Sequence, residues 1–179
     1  MPDFSEVPLL VAFSSFNRFT AQIERLEDAD VACVMSRYYE LAGSLIRAAG
    51  GRVVKFIGDA TLSVFPSDGT DRGVLGLLEL KNASDQFMAE QGWDCYLVVK
   101  AHFGSVAAGE FGAGAEKRYD VLGKAVNVTA RLESDGFALS VEAFRQLRSD
   151  LRQRFKKHTP PVTYIRQEDS HRPRWAKRG

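Results

Sequence analysis

One stretch near the middle of the chain constrains its fold more than any other. The segment RVVKFIGDATLSVFPSDG, residues 52–69, contains two short β-branched and aromatic runs separated by Gly58 and Asp59. Such runs on either side of a glycine turn are typical of a β-hairpin. Segments with helical periodicity precede and follow this hairpin, so the chain is predicted to combine an antiparallel sheet with helices.

The flanking segments predict two long helices. Residues 20–51 carry apolar side chains close to a 3.6-residue period, which predicts an amphipathic helix broken near residues 28–30. A second helix is predicted at about 71–91, with Lys81 and Asp85 on its solvent side. Its predicted buried stripe consists of apolar residues, namely Val74, Leu77, Leu78, Leu80, Phe87 and Met88.

The second half of the chain alternates strands with helices. A strand is predicted through Val99, and the glycine-rich stretch AAGEFGAGAEKRY after it, which lacks Walker spacing, predicts a flexible hairpin. The remaining predicted elements are a helix from near Gly123 to Gly136, a strand at 137–141, a helix at 142–155 and a strand at 162–167. This order predicts an α+β fold of the ferredoxin-like kind.

Composition narrows the class of protein. With 179 residues, of which 45% are hydrophobic and 26% charged, the chain is long enough for one well-packed core. No segment approaches the roughly 18 apolar residues of a membrane span, and the first residues lack signal-peptide features. Cys33 and Cys95 have no metal-binding spacing and are predicted to be buried free thiols, so a cytoplasmic location is expected.

The net charge of +1 hides an asymmetry, because the basic residues are concentrated toward the end of the chain. One domain is predicted over residues 1–166, followed by a flexible basic tail at 167–179. A solvated end and an anion-binding or membrane-surface arm both stay open for this tail. Nucleic-acid binding is not expected, because the segment is short and no matching fold motif accompanies it.

Two segments carry polar side chains that could form a binding or catalytic site. Asp59, beside Gly58, is either an ordinary turn residue or a carboxylate ligand for Mg²⁺. In RYDVLGKAVNVTARLE, Asn127 and Arg131 are four residues apart and share one helix face. That face is either a solvated polar surface or a site where an amide and a guanidinium bind a ribose and a phosphoryl group.

Taken in order, these segments resemble the catalytic domain of class III nucleotidyl cyclases, the adenylate and guanylate cyclases, over about Leu9 to Tyr164. GGRVVKFIGDATLSVF is similar to the family's K-x-x-G-D hairpin, and YDVLGKAVNVTARLE to its Y-D-x-x-G-x-x-V-N-x-x-A-R-L segment. AHFGSVAAGEFG resembles the strand and glycine turn between them. The resemblance implies a mostly antiparallel sheet with helices packed on it and a protruding hairpin arm.

The resemblance also implies roles for individual residues. Lys55 and Asp120 match the pair that reads adenine in adenylate cyclases, which favours ATP as the substrate. Asn127 matches the ribose-positioning residue and Arg131 the residue that stabilises the transition state. Asp59 matches a ligand of the metal, Mg²⁺ or Mn²⁺. Basic residues near the last strand hold the triphosphate in the family, and the candidates here are Lys156 and Lys157.

One position departs from the family pattern. The strand LLVAFSSFNRFT, residues 9–20, matches the family's F-x-D-x-x-x-F-T, and the alignment places Ser15 where an aspartate bridges two metal ions. A hydroxyl can ligate Mg²⁺ but cannot replace the charge of a bridging carboxylate. Ser15 is therefore expected to weaken turnover, with Asp59 still able to bring in a metal-bound nucleotide.

The resemblance implies a two-fold symmetric pair of chains with shared sites, so a homodimer is expected and a monomer should be inert. Two hypotheses stay open. The first is a weakened adenylate cyclase that converts ATP to 3′,5′-cyclic AMP and pyrophosphate. The second is a cyclase-like dimer that binds nucleotide without turnover, or one half of a heterodimer in which another subunit supplies the metal aspartates.

Overall fold

A computed structural model of the protein describes residues 3–159 and 161–170. Its strands are β1 (Phe4–Asn17), β2 (Arg52–Ile57), β3 (Ala60–Pro66), β4 (Tyr96–Phe111), β5 (Arg118–Leu122), β6 (Phe137–Leu139), β7 (Phe155–His158) and β8 (Thr163–Arg166). Its α-helices are α1 (Phe19–Ile23), α2 (Asp28–Ala48), α3 (Thr70–Glu90), α4 (Lys124–Arg131), α5 (Val141–Gln146) and α6 (Ser149–Arg152).

All the strands belong to one sheet in the order β2-β3-β1-β4-β6-β8-β7, with β5 paired to β4. Only β4 and β6 pair in parallel among the described strands. The central ladder joins β1 to β4 along the whole of β1, from Phe4 opposite Gly109 to Asn17 opposite Tyr96. The α+β architecture predicted from the sequence is thereby confirmed.

The two faces of the sheet bury separate apolar clusters, because successive side chains of a strand point to opposite faces. The first core lies under α2, α3 and α5 and includes Leu10, Tyr38 and Leu97. The second core lies on the other face, against α4, and consists of Val11, Leu62, Val64, Val106, Val121 and Ala125.

The sheet curls around the second core. Strand β2 lies beside β5, although β3, β1 and β4 separate the two strands in the hydrogen-bonded order. The curl brings side chains of β2 within reach of side chains of β5, and it sets the geometry of the candidate site described below. Strong right-handed twist is what allows an open sheet to approach itself in this way.

The hairpin prediction is confirmed. The first helix is broken, but at residues 24–27 rather than near 28–30, because the acidic side chains at 28 and 30 are favoured in the first turn of α2. The strand predicted through Val99 continues to Phe111. The single helix predicted at 142–155 is wrong: the chain forms α5 and α6 and then starts β7. Leu147, Leu151 and Phe155 have helical spacing, but Leu147 has an extended conformation (ψ 148°) that ends α5. Leu147 follows α5, Leu151 belongs to α6 and Phe155 starts β7, and all three side chains are buried in the first core.

The predicted solvent side of α3 is also wrong at Lys81, which is only 3% exposed. Its Nζ donates to the Leu97 carbonyl at 2.7 Å and to Asp85 at 2.8 Å, and Asp85 accepts from the Leu97 N–H at 2.6 Å. The β4–β6 pairing begins only at Val99, so this ion pair satisfies edge groups that no strand reaches. In the predicted stripe Phe87 is only partly buried, and the other members are buried.

Of the two cysteines, Cys95 is buried as predicted, whereas Cys33 lies exposed on α2, and both are free thiols. No helix within the described residues is long and apolar enough to cross a membrane. The predicted basic tail lies outside the described residues from position 171 onward. The assignment of residues 1–166 to one domain stays a prediction.

Candidate active site

The β2–β3 turn places Asp59 at the end of β1. Gly58 takes a positive φ of 58°, which reverses the chain before Asp59. The Asp59 carboxylate accepts a hydrogen bond from the Phe16 N–H through Oδ2, at 2.8 Å. Asp59 is therefore bonded to the backbone of β1 at the residue that follows Ser15.

Ser15 lies within β1 rather than after it. Its partner across the ladder is Val98, and the β1–β3 ladder ends one residue earlier, at Ser14 opposite Thr61. Ser15 is half-buried and carries no charge. Its alignment with the family's bridging carboxylate stays a prediction.

The donor set fits one divalent cation and does not fit two. Asp59 Oδ1 has no partner among the described residues and could bind a cation whose other ligands come largely from phosphate oxygens. Within residues 3–159 and 161–170, no group of three His, Cys, Asp or Glu side chains converges on one point. A two-ion site would therefore need carboxylates from elsewhere.

Lys55 and Asp120 meet across the curl of the sheet. Lys55 Nζ on β2 lies 2.5 Å from Asp120 Oδ2 on β5, and the second oxygen of Asp120 accepts from the Val121 N–H at 2.8 Å. The two side chains are 40% and 22% exposed, so the pair is open to solvent on one side. An ammonium has three donors and a carboxylate about four acceptor positions, so both keep capacity for a further partner.

Asn127 and Arg131 lie on the exposed side of α4, opposite the buried Ala125 and Thr129. The shared face predicted from their spacing is confirmed. Among the described contacts, none joins either side chain to Asp59. Arg131 sits in the last turn of α4, where the helix dipole favours a cation.

Lys156 and Lys157 lie on β7, the edge strand at the opposite end of the sheet from β2. Lys156 Nζ donates to the Gln167 carbonyl at 2.7 Å, and Lys157 is exposed. No described contact joins either lysine to the Asp59 turn. Their predicted contact with a triphosphate therefore stays a prediction.

Sequence reasoning missed residues that support this site from neighbouring elements. Arg52 on β2 stacks its guanidinium over the Tyr119 ring on β5, with 3.6 Å between the guanidinium carbon and the ring centroid. Tyr39 on α2 donates to the Gly58 carbonyl at 2.5 Å and stacks on Phe56 with 4.1 Å between ring centroids. Such contacts depend on how the sheet curls, and no local pattern in the sequence signals them.

Tyr38, which precedes Tyr39, lies fully buried under the β1–β3 ladder. Burial raises the pKa of Tyr38 to about 12, and the negative charge of Asp59 acts in the same direction. The side chain is therefore a neutral phenol at physiological pH. Its hydroxyl lies among those of Ser14, Thr61 and Ser84, so this buried cluster is polar but uncharged.

The site therefore contains two kinds of binding group. The Asp59 turn offers one carboxylate for a cation, and the β2–β5 junction offers a donor and an acceptor side by side. A planar group with complementary hydrogen-bonding atoms, such as a purine edge, could be read by that pair. The exposed amide and guanidinium on α4 could bind a ribose or a phosphate outside this chain's own Asp59 turn.

Comparison with known sequences identifies relatives. The family described as adenylate and guanylate cyclase catalytic domain matches residues 3–164. An adenylate cyclase of Anabaena cylindrica is 26% identical over 133 residues, which are 70% of this chain and 26% of that protein. An adenylate cyclase of Streptomyces coelicolor is 30% identical over 126 residues, 70% of this chain and 29% of that protein. The chain thus spans less than a third of the length of either relative.

Solved structures share the fold. The adenylyl cyclase CyaB from P. aeruginosa superposes with a TM-score of 0.81 at 19% identity, covering 96% of this chain and 98% of that one. The guanylyl cyclase Cya2 superposes with a TM-score of 0.78 at 21% identity, covering 91% of this chain and 93% of that one. At such identities the likeness shows the fold alone, and both adenylyl and guanylyl cyclases share it.

Proposed function

Because this chain belongs to the adenylate and guanylate cyclase catalytic domain family, we propose that it is an adenylate-type cyclase domain with weakened turnover. The reaction is the conversion of ATP to 3′,5′-cyclic AMP and pyrophosphate. The ribose 3′-oxygen forms a bond to the α-phosphorus, the bond from that phosphorus to the bridging oxygen of the β-phosphate breaks, and the hydroxyl proton is released. The observation that carries the choice of ATP is the Lys55–Asp120 pair at 2.5 Å.

The pair supports adenine because its two members present opposite hydrogen-bonding character. Lys55 can donate to a ring nitrogen and Asp120 can accept from the exocyclic amine. Guanine would present a carbonyl where adenine has the amine, which leaves the carboxylate facing an acceptor. An unpaired buried polar group costs about 1–3 kcal/mol, enough to select one base over the other.

The remaining residues would act on the sugar and the phosphates. Asn127 would hydrogen-bond the ribose, and Arg131 would donate to the phosphoryl oxygens as negative charge shifts toward the leaving pyrophosphate. Asp59 would hold Mg²⁺ or Mn²⁺, which supplies neutralisation of phosphate charge. Lys156 and Lys157 are the candidates for binding the triphosphate.

The dimer is part of the proposal. Asn127 and Arg131 face solvent on α4, away from the described contacts of Asp59 in the same chain. A two-fold pair would bring the α4 face of one chain to the Asp59 turn of its partner and create two equivalent sites. A heterodimer with a cyclase subunit that carries both metal aspartates would form one complete site with this chain's Lys55, Asp120, Asn127 and Arg131.

One specific observation favours a second candidate function, a nucleotide-binding dimer without turnover. The family resemblance aligns Ser15 with the bridging carboxylate, and within the part of the chain that the structure describes no three His, Cys, Asp or Glu side chains come together to hold an ion. The loss of several kcal/mol of transition-state stabilisation lowers a rate by about a thousandfold. Nucleotide binding through Lys55 and Asp120 would survive such a loss.

The deciding experiment compares the natural chain with Ser15→Asp for cyclic AMP formation from ATP with Mn²⁺, at a concentration that permits dimerisation. We expect Ser15→Asp to raise the rate by about a thousandfold. Ser149→Asp, which adds the same charge at an exposed position, is the control and should leave the rate unchanged. If ATP binds and neither chain forms product, the binding module or the heterodimer replaces the enzyme proposal. If ATP does not bind, the proposal of an ATP site fails.

Site sharing has its own test in the Ser15→Asp background. Asp59→Asn and Arg131→Ala should each abolish product formation, because they damage opposite halves of a shared site. An equal mixture of the two variants should recover about a quarter of the activity, since half of the dimers are mixed and each has one intact site. Failure of the mixture to recover activity would contradict a site built from two chains.

A further inference from the structure

The junction between β2 and β5 contains a second contact beside the Lys55–Asp120 pair. We propose that Arg52, stacked on Tyr119, is a positioning residue that determines base selectivity by holding β5 against β2. The inference deepens the proposed function and rests on it, because it concerns the residues that would read the base. Arg52 is not proposed to touch the nucleotide.

An irregularity in β2 puts Arg52 and Lys55 on the same face of the sheet. Residues three apart in a regular strand point to opposite faces. In β2 the register shifts between Val53 and Lys55, so that Arg52 lies opposite Val64 and Lys55 opposite Leu62. Val54 is thus the extra residue of a β-bulge, a feature that re-aims the side chains that follow it.

The bulge places Arg52 and Lys55 on the face of β2 that bears the second core. Val64 and Leu62 both belong to the second core, so their partners Arg52 and Lys55 lie on that same side of β2. Without the bulge, Arg52 and Lys55 would lie on opposite faces of β2. With it, both side chains extend from the same face of β2, and both contact β5.

Arg52 and Lys55 contact consecutive residues of β5. Arg52 stacks on Tyr119 at 3.6 Å, and Lys55 pairs with Asp120 at 2.5 Å. Tyr119 packs against the second core and Asp120 is bonded to the Val121 N–H, so both anchor points are fixed from within β5. Strand β5 pairs with β4 alone among the described strands, and the stacked pair is a second support for its other edge.

Base selectivity depends on the separation of Lys55 and Asp120, because each must keep its position while a base binds between or beside them. A site that holds hydrogen-bonding groups rigidly discriminates better than one that can relax around the wrong partner. The stacked pair supplies that rigidity next to the ion pair. Arginine suits this role because its planar guanidinium stacks on an aromatic face.

The test measures selectivity rather than affinity. Dissociation constants for 3′-deoxy-ATP and 3′-deoxy-GTP, which lack the nucleophilic hydroxyl, are determined with Mn²⁺ for each variant, and their ratio is compared. We expect Arg52→Ala to reduce the preference for the adenine nucleotide by about tenfold. Tyr119→Phe preserves the ring face and should retain the preference of the natural chain.

The matched control is Arg37→Ala, which removes another exposed arginine that lies over an aromatic ring, Phe87 on α3. It should leave the ratio unchanged. If Arg52→Ala weakens both nucleotides equally, or changes neither, Arg52 has only a structural role or none and the inference is overturned. A loss of preference in Tyr119→Phe as large as that in Arg52→Ala would also overturn it, since the stacking face is intact.

A second measurement needs no nucleotide. The coupling between Lys55 and Asp120 is determined by a double-mutant cycle with Lys55→Met and Asp120→Asn in urea unfolding, in the natural chain and in Arg52→Ala. We expect Arg52→Ala to lose roughly half of the coupling or more. If the natural chain binds neither nucleotide, the proposed function fails and this cycle alone decides the inference, which an unchanged coupling overturns.

Discussion

Cys95 precedes the start of β4, behind the Asp59 turn, and is the more protected of the two thiols. Burial raises the pKa of Cys95 to about 11, and the negative charges of Asp94 and Asp59 act in the same direction. The nucleophilic form of cysteine is the thiolate, so a thiol with this pKa is almost fully protonated at pH 8. Cys33 is exposed on α2.

We therefore expect iodoacetamide at about pH 8 to modify one cysteine of the folded chain, and that cysteine is Cys33. Mass spectrometry of the intact chain and of its peptides identifies the modified position. Cys33→Ser should show no adduct until urea unfolds the chain. An adduct on Cys95 in the folded chain would contradict the burial described here.

Lys81 shows why single residues are hard to place from sequence. In the helical pattern of α3 it occupies a polar position next to the apolar stripe, which predicts contact with solvent. The first residues of β4 extend beyond β6 and leave the Leu97 backbone groups unpaired by any strand. Lys81 and Asp85 hydrogen-bond to both of those groups. The need for these bonds arises from the tertiary fold and cannot be predicted from the sequence of α3 alone.

At the scale of elements, α2 and α3 approach closely where Gly76 faces Ala49. A Cβ added at Gly76 would collide with the Ala49 Cβ. Gly43 on α2 has no atom within 4 Å of such a Cβ. The same substitution in two neighbouring helices should therefore have opposite effects on stability.

We expect Gly76→Ala to destabilise the fold by about 1–3 kcal/mol through overpacking. Adding Ala49→Gly should recover part of that loss, because it removes the colliding methyl group. Gly43→Ala should be neutral or stabilising by up to about 1 kcal/mol, since alanine has the higher helix propensity. Urea unfolding of the four chains measures the free energies, and equal effects of the two glycine substitutions would disprove the packing argument.

The elements that could be predicted are those whose signals are local. The β2–β3 hairpin was predictable because β-branched runs flank Gly58. A break in the first helix was predictable from the interrupted apolar period near residues 28–30, but Asp28 and Asp30 form the first turn of α2 and the break precedes them. The region 142–155 was not, because its apolar spacing is helical while Leu147 ends α5 in an extended conformation. The length of β4 was also missed, because Gly104 and Gly109 suggest a turn in the sequence but lie within the strand, where a Cβ would meet Ala125 or the backbone of residues 3–4.

The residues of the candidate site also differ in how far the sequence could predict them. Asp59 and the shared face of Asn127 and Arg131 followed from a turn and a helical spacing. The Lys55–Asp120 pairing followed from the family resemblance. The Arg52–Tyr119 stack followed from neither, because it requires the curl of the sheet that brings β2 beside β5.

At the scale of the whole molecule, His102 links the central strand to α5 and makes stability depend on pH. Its Nδ1 lies 2.9 Å from Ser140 Oγ, which accepts from the Ala143 N–H at the start of α5. Burial lowers the pKa of His102, and the nearby Glu142 opposes that shift. The folded chain therefore binds this proton less readily than the unfolded chain, whose histidine has a pKa of about 6.5.

The sign of the effect follows from that difference. A lowered pKa means that the contribution of His102 to stability is full above about pH 6.5 and is lost as the pH falls toward the folded pKa. We expect the urea midpoint to drop between about pH 7.5 and 5.5, and His102→Gln to reduce the drop. Glu142→Gln should enlarge it, because the charge that opposes the shift is removed. A drop of equal size in the natural chain and His102→Gln would exclude His102 as the source.

The long ladder between β1 and β4 has a consequence for how the chain is made. Strand β1 is synthesised before β4, with which the whole of β1 pairs. Strand β4 is completed only after both long helices have left the ribosome. Until then the apolar run Leu9–Phe13 has only the shorter β3 as a partner. Pairing between distant segments is slow, and an unpaired apolar strand is prone to aggregate. The nascent chain is thus most prone to aggregate while β1 lacks β4 as a partner, and slowing synthesis before residue 111 would prolong that exposure.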